Sequence, residues 1–286
     1  MTTGTALAGG LRMHYRLTGD GPAVVLLHGW PQTGHCWRLV EPALAAAGYT
    51  VLTPDLRGYG LTDKPAGGYD KRTMAADVRG LAAALGIGPV HLVGHDRGAR
   101  VAHRYALDNP DSLRSLTVLD IVPTLTTVTH TDLATTRNYW HWAFHQQPDL
   151  PELLVAPNLD GYLRYLFGRW AVQREVVDAE VAHYVEEFRR PGALRAGFDD
   201  YRATDEDVAL DVASRDAGER VTVPVLALWG DGGLPGRLPV LDIWSEYADY
   251  VTGGPVLDCG HFVPEEQPDR LLEALLPFLD RHGAPR

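Results

Sequence analysis

The chain has 286 residues, long enough for one α/β domain carrying an insertion, and 45% of them are hydrophobic, which excludes a disordered polymer because that much apolar surface can offset the entropy of ordering. Its 26 Lys and Arg against 37 Asp and Glu give a net charge of −11, and no basic run is present, so a nucleic-acid backbone would be repelled. Cys36 and Cys259 lie too far apart for a disulfide framework or an ordinary zinc site, no apolar run nears the length of a membrane span, and residues 1–11 do not read as a signal peptide, so a cytoplasmic protein without a membrane contact is expected.

In chain order, residues 12–17 read as an edge strand, 23–27 and 50–53 as buried strands, and 77–85 as a helix closed by Gly86. Buried strands follow at 90–93, 116–119 and 225–228, with a last short one at 255–257; Pro268 then opens a closing helix over 269–280. Apolar runs ending in Gly or Pro and alternating with Ala/Leu-rich helical stretches are the pattern of a mostly parallel sheet covered on both faces. From Pro123 to about Val212 the alternation stops, and Trp, Tyr, His and Arg recur at helical spacing without a strand-like run. Residues 124–212 are therefore expected to form a helical cap, or lid, on a core made of 1–123 and 213–286.

The strand at 90–93 runs into Gly94-His95-Asp96-Arg97-Gly98 and then a helical stretch. Glycines on either side of a central residue permit a sharp strand-to-helix turn that forces the central side chain out at the top of the sheet; here that side chain is a carboxylate, Asp96. A helix-capping aspartate would be spelled the same way. Three other stretches supply context. His28-Gly29-Trp30-Pro31 directly follows the strand at 23–27, and Cys259-Gly260-His261-Phe262 follows the last strand, where His261 would serve as a general base. For the acid that orients it, the chain after 225–228 reads Trp229-Gly230-Asp231-Gly232-Gly233, with glycine where an acid is usual. Asp120, at the end of the strand at 116–119, is therefore taken as the partner of His261, and Asp231 as a turn residue.

Over essentially the whole chain these stretches resemble the haloacetate (fluoroacetate) dehalogenase family of the α/β-hydrolase fold. The resemblance rests on His28-Gly29-Trp30-Pro31-Gln32-Thr33, the run from Gly94 to Arg104, Leu119-Asp120-Ile121-Val122-Pro123, Tyr139-Trp140-His141-Trp142, Asp200-Tyr201-Arg202 and Gly260-His261-Phe262, and its specific element is the run Asp96-Arg97-Gly98-Ala99-Arg100. It implies a doubly covered, mostly parallel sheet with a helical lid inserted after the sixth strand. It further implies Asp96 as nucleophile, His261 as base and Asp120 as its acid, with Arg97 and Arg100 holding a substrate carboxylate. His141, Trp142 and Tyr201 would bind the halide, and the backbone N–H groups of Trp30 and Arg97 would form the oxyanion hole. No metal or organic cofactor is implied, and a homodimer is. Trp30, where Phe is commoner, and Trp140, just before the His-Trp pair, depart from the family pattern.

Elementary chemistry points the same way. Arg97 and Arg100 are three apart at the start of a helix and so share a face; cations there oppose the helix dipole unless an anion is bound, and two guanidiniums can fix one carboxylate. His141, Trp142 and Tyr201 each bring a donor for a small anion, although aromatic packing would select the same residues. Arg189-Arg190 and Asp199-Asp200 read as solvated faces. The expected reaction is hydrolysis of short, anionic 2-haloacids such as fluoroacetate to 2-hydroxy acids and halide through an aspartyl ester. Epoxide hydrolysis by the same Asp96 and His261 is the alternative, but it would leave Arg97 and Arg100 without a task. A haloalkane dehalogenase fits less well, since Arg97 stands where a halide-binding Trp should follow the nucleophile. A non-catalytic receptor would not need Asp96, His261 and an acid together.

Overall fold

The computed structural model describes residues 1–130 and 132–283. Its eight strands are β1 (Thr2–Ala8), β2 (Leu11–Thr18), β3 (Ala23–Leu27), β4 (Thr50–Pro54), β5 (Val90–His95), β6 (Leu113–Leu119), β7 (Val225–Gly230) and β8 (Val251–Val256). They form one sheet in the order β1-β2-β4-β3-β5-β6-β7-β8, antiparallel at β1/β2 and β2/β4 and parallel elsewhere. The central strands β3 and β5 are buried along their whole length, as expected for strands covered on both faces, and each fully buried Val or Leu contributes about 1.5–3 kcal/mol of transfer free energy. His91, a polar residue inside β5, is accommodated by a 2.7 Å hydrogen bond between its Nδ1 and the Ser115 hydroxyl on β6.

Two strand expectations need correction. The strand at 12–17 is not at the edge, because β1 pairs along its full length and takes that place; β1 is exposed or half-buried up to its last residue, Ala8, and so leaves no apolar run to read. The last strand begins at Val251, earlier than 255, and crosses two glycines that carry little strand propensity. Gly253 is required there: its φ is +144°, and a Cβ would lie 1.8 Å from the Ala227 carbonyl oxygen.

On the sheet faces lie α1 (Glu41–Ala46), α2 (Lys71–Ala84) and α3 (Arg97–Asp108). Helix α2 starts at Lys71 rather than 77 because Asp70 caps it, its carboxylate accepting the Thr73 N–H at 2.8 Å. It closes at Gly86 (φ +68°), with Gly86 N–H on the Ala83 carbonyl and Ile87 N–H on that of Ala82. Among the described residues between β6 and β7 there are helices and no strand: α4 (Thr124–Thr129), α5 (Leu133–Asn138), α6 (Trp140–His145), α7 (Leu150–Val155), α8 (Leu159–Trp170), α9 (Arg174–Phe188), α10 (Ala193–Arg202) and α11 (Thr204–Asp216). The boundary read at 212/213 falls inside α11, which continues to Asp216 and is tied to α3 by Arg104, whose guanidinium donates to Asp211 and Ser214 at 3.0 Å each. Helices α12 (Val240–Tyr247), α13 (Val263–Glu266) and α14 (Pro268–His282) complete the chain. Among the described residues no helix is long and apolar enough to cross a membrane.

The helical segment sits over the carboxyl end of β3. Trp30, just past that strand, has its ring centroid 4.5 Å from His145, 6.1 Å from Trp170 and Phe188, and 5.8 Å from Tyr201, rings carried by α6, α8, α9 and α10. Sheet and helical segment thereby share one hydrophobic core.

Candidate active site

Asp96 stands between β5 and α3 with φ 48° and ψ −119°, a strained conformation for a residue with a side chain. It makes no side-chain capping bond to α3, which removes the capping reading. The turn closes because its neighbours lack side chains: a Cβ would come within 2.3 Å of the His28 carbonyl oxygen from Gly98, 2.4 Å of the Asp96 Cβ from Gly29, and 2.5 Å of the Ala99 Cα from Gly94. The Trp30 amide donates to Asp96 Oδ1 at 3.2 Å, across the cis Trp30–Pro31 turn. Arg97 opens α3, so its N–H is one that the helix cannot satisfy internally. Burial opposes ionisation of Asp96, but the charges of His261, Arg100 and Arg97 outweigh it and hold the carboxyl below its usual value.

The structure brings His261 and Asp120 to the same place. His261 Nε2 lies 3.6 Å from Asp96 Oδ2, and its Nδ1–H donates to Asp120 Oδ2 at 2.6 Å. Asp120 also accepts the Gly230 N–H at 3.0 Å and the Leu234 N–H at 3.4 Å. A Cβ on Gly233 would lie 2.1 Å from Asp120 Oδ1, so glycine there is what makes room for an acid arriving from β6. Asp231 is occupied in its own turn, accepting the Gly232 and Cys259 amides. Burial pushes the His261 imidazole down, but the bond to Asp120 and the charges of Asp120 and Asp96 outweigh it and leave the pKa raised. Sequence reading missed what fixes this loop. Glu266 accepts the amides of Gly260 and Phe262 at 2.9 Å each and those of Val172 and Gln173 at 2.7 and 2.8 Å, pinning the His261 turn to the helical segment. The His95 Nε2–H donates to the His261 carbonyl at 2.7 Å.

Arg97 and Arg100 both reach the site but differ in partner. Arg97 donates through Nε and Nη2 to Asp200 Oδ1 at 3.0 and 2.6 Å, and Asp200 also accepts Lys71 Nζ and the Tyr59 hydroxyl at 2.6 Å each. Asp200 is therefore no solvated residue but a completely buried carboxylate, contrary to expectation; burial raises its pKa, and Arg97 and Lys71 pull it far below the usual range. Neighbouring residues on a helix point about 100° apart, so Asp199 turns instead to Arg202 at 2.8 Å. Arg189 and Arg190 do lie on an exposed face, paired with Glu186 and Glu187. Arg100, 4% exposed, has no carboxylate within ion-pair distance among the described residues: Nη1 donates to the Val122 carbonyl and the Thr124 hydroxyl at 3.1 Å each, and Nε is buried without a partner.

His141, Trp142 and Tyr201 converge on these arginines. The Arg97 guanidinium lies 4.4 Å from the Tyr201 ring centroid, and that of Arg100 lies 4.6 Å from Trp142. Burial pushes His141 down to about 3, so its ring is neutral, and its Nδ1 is buried without a partner, as are Arg97 Nη1 and His261 Nε2. Burial, then the charge of Asp96, keeps the Tyr201 phenol protonated. His145, one turn beyond His141, was not anticipated; its ring lies 4.6 Å from Tyr201 and its Nε2 meets the Tyr162 hydroxyl at 2.6 Å.

An ionised carboxylate with one oxygen on a backbone amide and the other beside a carboxylate-backed imidazole can attack an electrophilic carbon and then be released by water. With an eight-stranded, mostly parallel sheet beneath it, that arrangement is the one found in α/β hydrolases, and this chain belongs to the alpha/beta hydrolase fold family, whose model matches residues 22–268. It is similar to the soluble epoxide hydrolase of Corynebacterium sp. (strain C12), 39% identical over 96% of this chain and 95% of that one. It is equally similar to the fluoroacetate dehalogenase of Burkholderia sp, 40% identical over 91% of this chain and 88% of its relative. Among solved structures, the epoxide hydrolase CorEH without ligand matches at a TM-score of 0.91 with 38% identity, covering 98% of this chain and 99% of that chain. The protein is thus a hydrolase of this fold, and relatives named for two substrates stand at the same distance from it.

Proposed function

We propose that this protein hydrolyses the carbon–halogen bond of short 2-haloacids, with fluoroacetate as the reference substrate. The observation that carries the reading is Arg100: a buried guanidinium beside the Asp96 carboxylate whose hydrogen-bond partners, a carbonyl and a hydroxyl, are neutral. A buried cation without its own counter-ion favours an anionic ligand, and a neutral epoxide would leave it unmatched.

In this reading Arg100, with the free Nη1 of Arg97, holds the substrate carboxylate so that the halogen-bearing carbon lies in line with Asp96 Oδ2. Oδ2 bonds to that carbon as the halide leaves with the bonding pair, solvated by His141, Trp142 and Tyr201, and a neutral ester remains. Oδ1, already on the Trp30 amide, is the ester carbonyl oxygen. Esterification removes the negative charge 3.6 Å from His261 Nε2, so the imidazole gives up its proton more readily and becomes a base for the second step. It takes a proton from water, whose oxygen attacks the Asp96 carbonyl carbon. The resulting oxyanion is held by the N–H groups of Trp30 and Arg97; its collapse breaks the bond to the substrate oxygen, which takes a proton from the His261 imidazolium and leaves as the hydroxyl of the 2-hydroxy acid. Residues 124–212 act as the lid that keeps bulk water from the first step.

Epoxide hydrolysis is the second reading. It is favoured by the Corynebacterium relative and by half-buried Tyr139 and buried Tyr201, phenols in the field of Asp96 that stay protonated and could donate to an epoxide oxygen. Halide release from fluoroacetate and chloroacetate, measured beside diol formation from an aryl epoxide, separates the two. Fluoride release with no diol is expected; diol formation without halide release would overturn the proposal.

A further inference from the structure

Three arginines from separate parts of the chain line one cavity of about 170 Å³ beside the active site: Arg137 on α5, Arg169 near the end of α8, and Arg237 in the loop between β7 and α12. All three are exposed, and none makes an ion pair or hydrogen bond among the described residues, although the chain as a whole carries a charge of −11. The acid in that loop, Asp231, accepts the Gly232 and Cys259 amides through Oδ1 and makes no ion pair with any of the three arginines. Like charges gathered without counter-ions repel one another, and on a surface with acids to spare such a cluster is a focus of positive potential.

The cavity also shares walls with the catalytic groups. Its lining includes Gly233, whose missing side chain makes room for Asp120, and Trp170, whose carbonyl accepts the His261 N–H at 3.0 Å. The Trp170 ring centroid lies 4.7 Å from that of His141 and 5.6 Å from that of His261. Trp140, half-buried, lines the cavity as well. Asp96 and Arg100 are themselves almost wholly buried, so an anionic substrate must be drawn from water past an acidic surface.

We propose that this cavity is an anion port: Arg137, Arg169 and Arg237 collect small monovalent anions, carboxylates among them, and raise their concentration at the Trp170 wall of the active site. That the carboxylate then passes to Arg100 rests on the haloacid reading; the anion-collecting property does not.

Two measurements test the port separately from that reading. Tryptophan fluorescence is quenched with iodide and with neutral acrylamide in the full chain, in a Trp140→Phe variant and in the triple variant Arg137→Gln/Arg169→Gln/Arg237→Gln. At low salt the Trp140-dependent part of the signal should be quenched several-fold more efficiently by iodide than by acrylamide, and the triple variant should lose that preference. The kcat/KM for fluoroacetate should fall about tenfold in the triple variant at low ionic strength with kcat unchanged, and the difference should vanish near 1 M salt, where the Debye length is about 3 Å. Lysine at the same three positions should restore both signals, since the port needs charge and not a guanidinium fork. Iodide no better than acrylamide in the wild-type chain, or a salt dependence of kcat/KM unchanged in the triple variant, overturns the port. A wild-type chain that prefers iodide but releases no halide from any haloacid leaves the port standing and sinks the haloacid reading.

Discussion

Replacing Asp120 by Asn tests the assignment of the acid at the level of single hydrogen bonds. Asp120 Oδ1 accepts the Gly230 N–H at 3.0 Å, and Oδ2 accepts both His261 Nδ1–H at 2.6 Å and, more weakly, the Leu234 N–H at 3.4 Å. An asparagine keeps its carbonyl oxygen on Gly230 and turns its amide NH₂ to His261. That amide can only donate, so Nδ1 must become an acceptor and the ring proton moves to Nε2, the nitrogen 3.6 Å from Asp96 Oδ2 that has to take a proton from water. The first step, attack by Asp96, survives; the second does not. The corresponding change in a serine-protease triad lowers kcat about 10⁴-fold, equivalent to about 5.4 kcal/mol of barrier. The assay is rapid-quench halide release from chloroacetate: a burst close to one equivalent of enzyme should be followed by a steady-state rate lowered about 10⁴-fold. Asp231→Asn, whose carboxylate only closes its own turn, should leave both phases within about twofold, because it touches no reacting group. A silent Asp120→Asn with a crippled Asp231→Asn would refute the assignment, and loss of the burst itself would show that Asp120 acts before the ester forms.

His261→Ala should release one equivalent of halide and then stop, and in heavy-oxygen water a single wild-type turnover should place label in Asp96 rather than in the hydroxyl of the product; label appearing first in glycolate excludes the ester. Tyr201→Phe keeps the ring but removes a donor to the leaving anion, costing about 1.5–3 kcal/mol, or roughly tenfold to hundredfold, with fluoroacetate and distinctly less with chloroacetate; equal losses would mean that Tyr201 shapes the site without binding halide. Asp200→Asn strands Arg97 as a buried cation, while Lys71 keeps Asp207 at 3.2 Å, and the cost of about 3–5 kcal/mol should lower Tm by roughly 6–20 °C in a thermal melt; an unchanged melt would show that the Arg97–Asp200 pair carries no stability. For pH, the raised His261 pKa means that the imidazole is protonated at low pH, where it cannot act as base, so kcat should rise as pH rises through the pKa of the ester form and then level off. Because esterification removes the Asp96 charge, that limb should lie below the one a titration of His261 in the free enzyme reports; identical values would refute the coupling.

The local features of this protein were readable along the chain. Short apolar runs bounded by Gly or Pro read as strands covered on both faces, hence β3 and, with His91 inside it, β5, and the glycines around Asp96 marked a sharp strand-to-helix turn, although a capping aspartate is spelled the same way. Gly233 was legible by what it lacked: an acid missing from its usual place pointed back to Asp120, and the same absence proves to be the space that Asp120 occupies. What only the folded chain decided is pairing across distance. Asp200 and its neighbour Asp199 are spelled alike, yet one lies against Arg97 and Lys71 in the interior and the other is half-buried beside Arg202, a choice made by the rotation of α10 that turns Asp200 toward α2 and α3. Glu266 looks like any acid opening a helix until four amides from two segments converge on it. Periodicity records which face of an element is apolar, because burial repeats with each turn or pleat. It carries no mark of which charge meets which, since a buried ion pair or an amide cluster is a single event between residues far apart in sequence, and only the geometry that joins them makes it favourable.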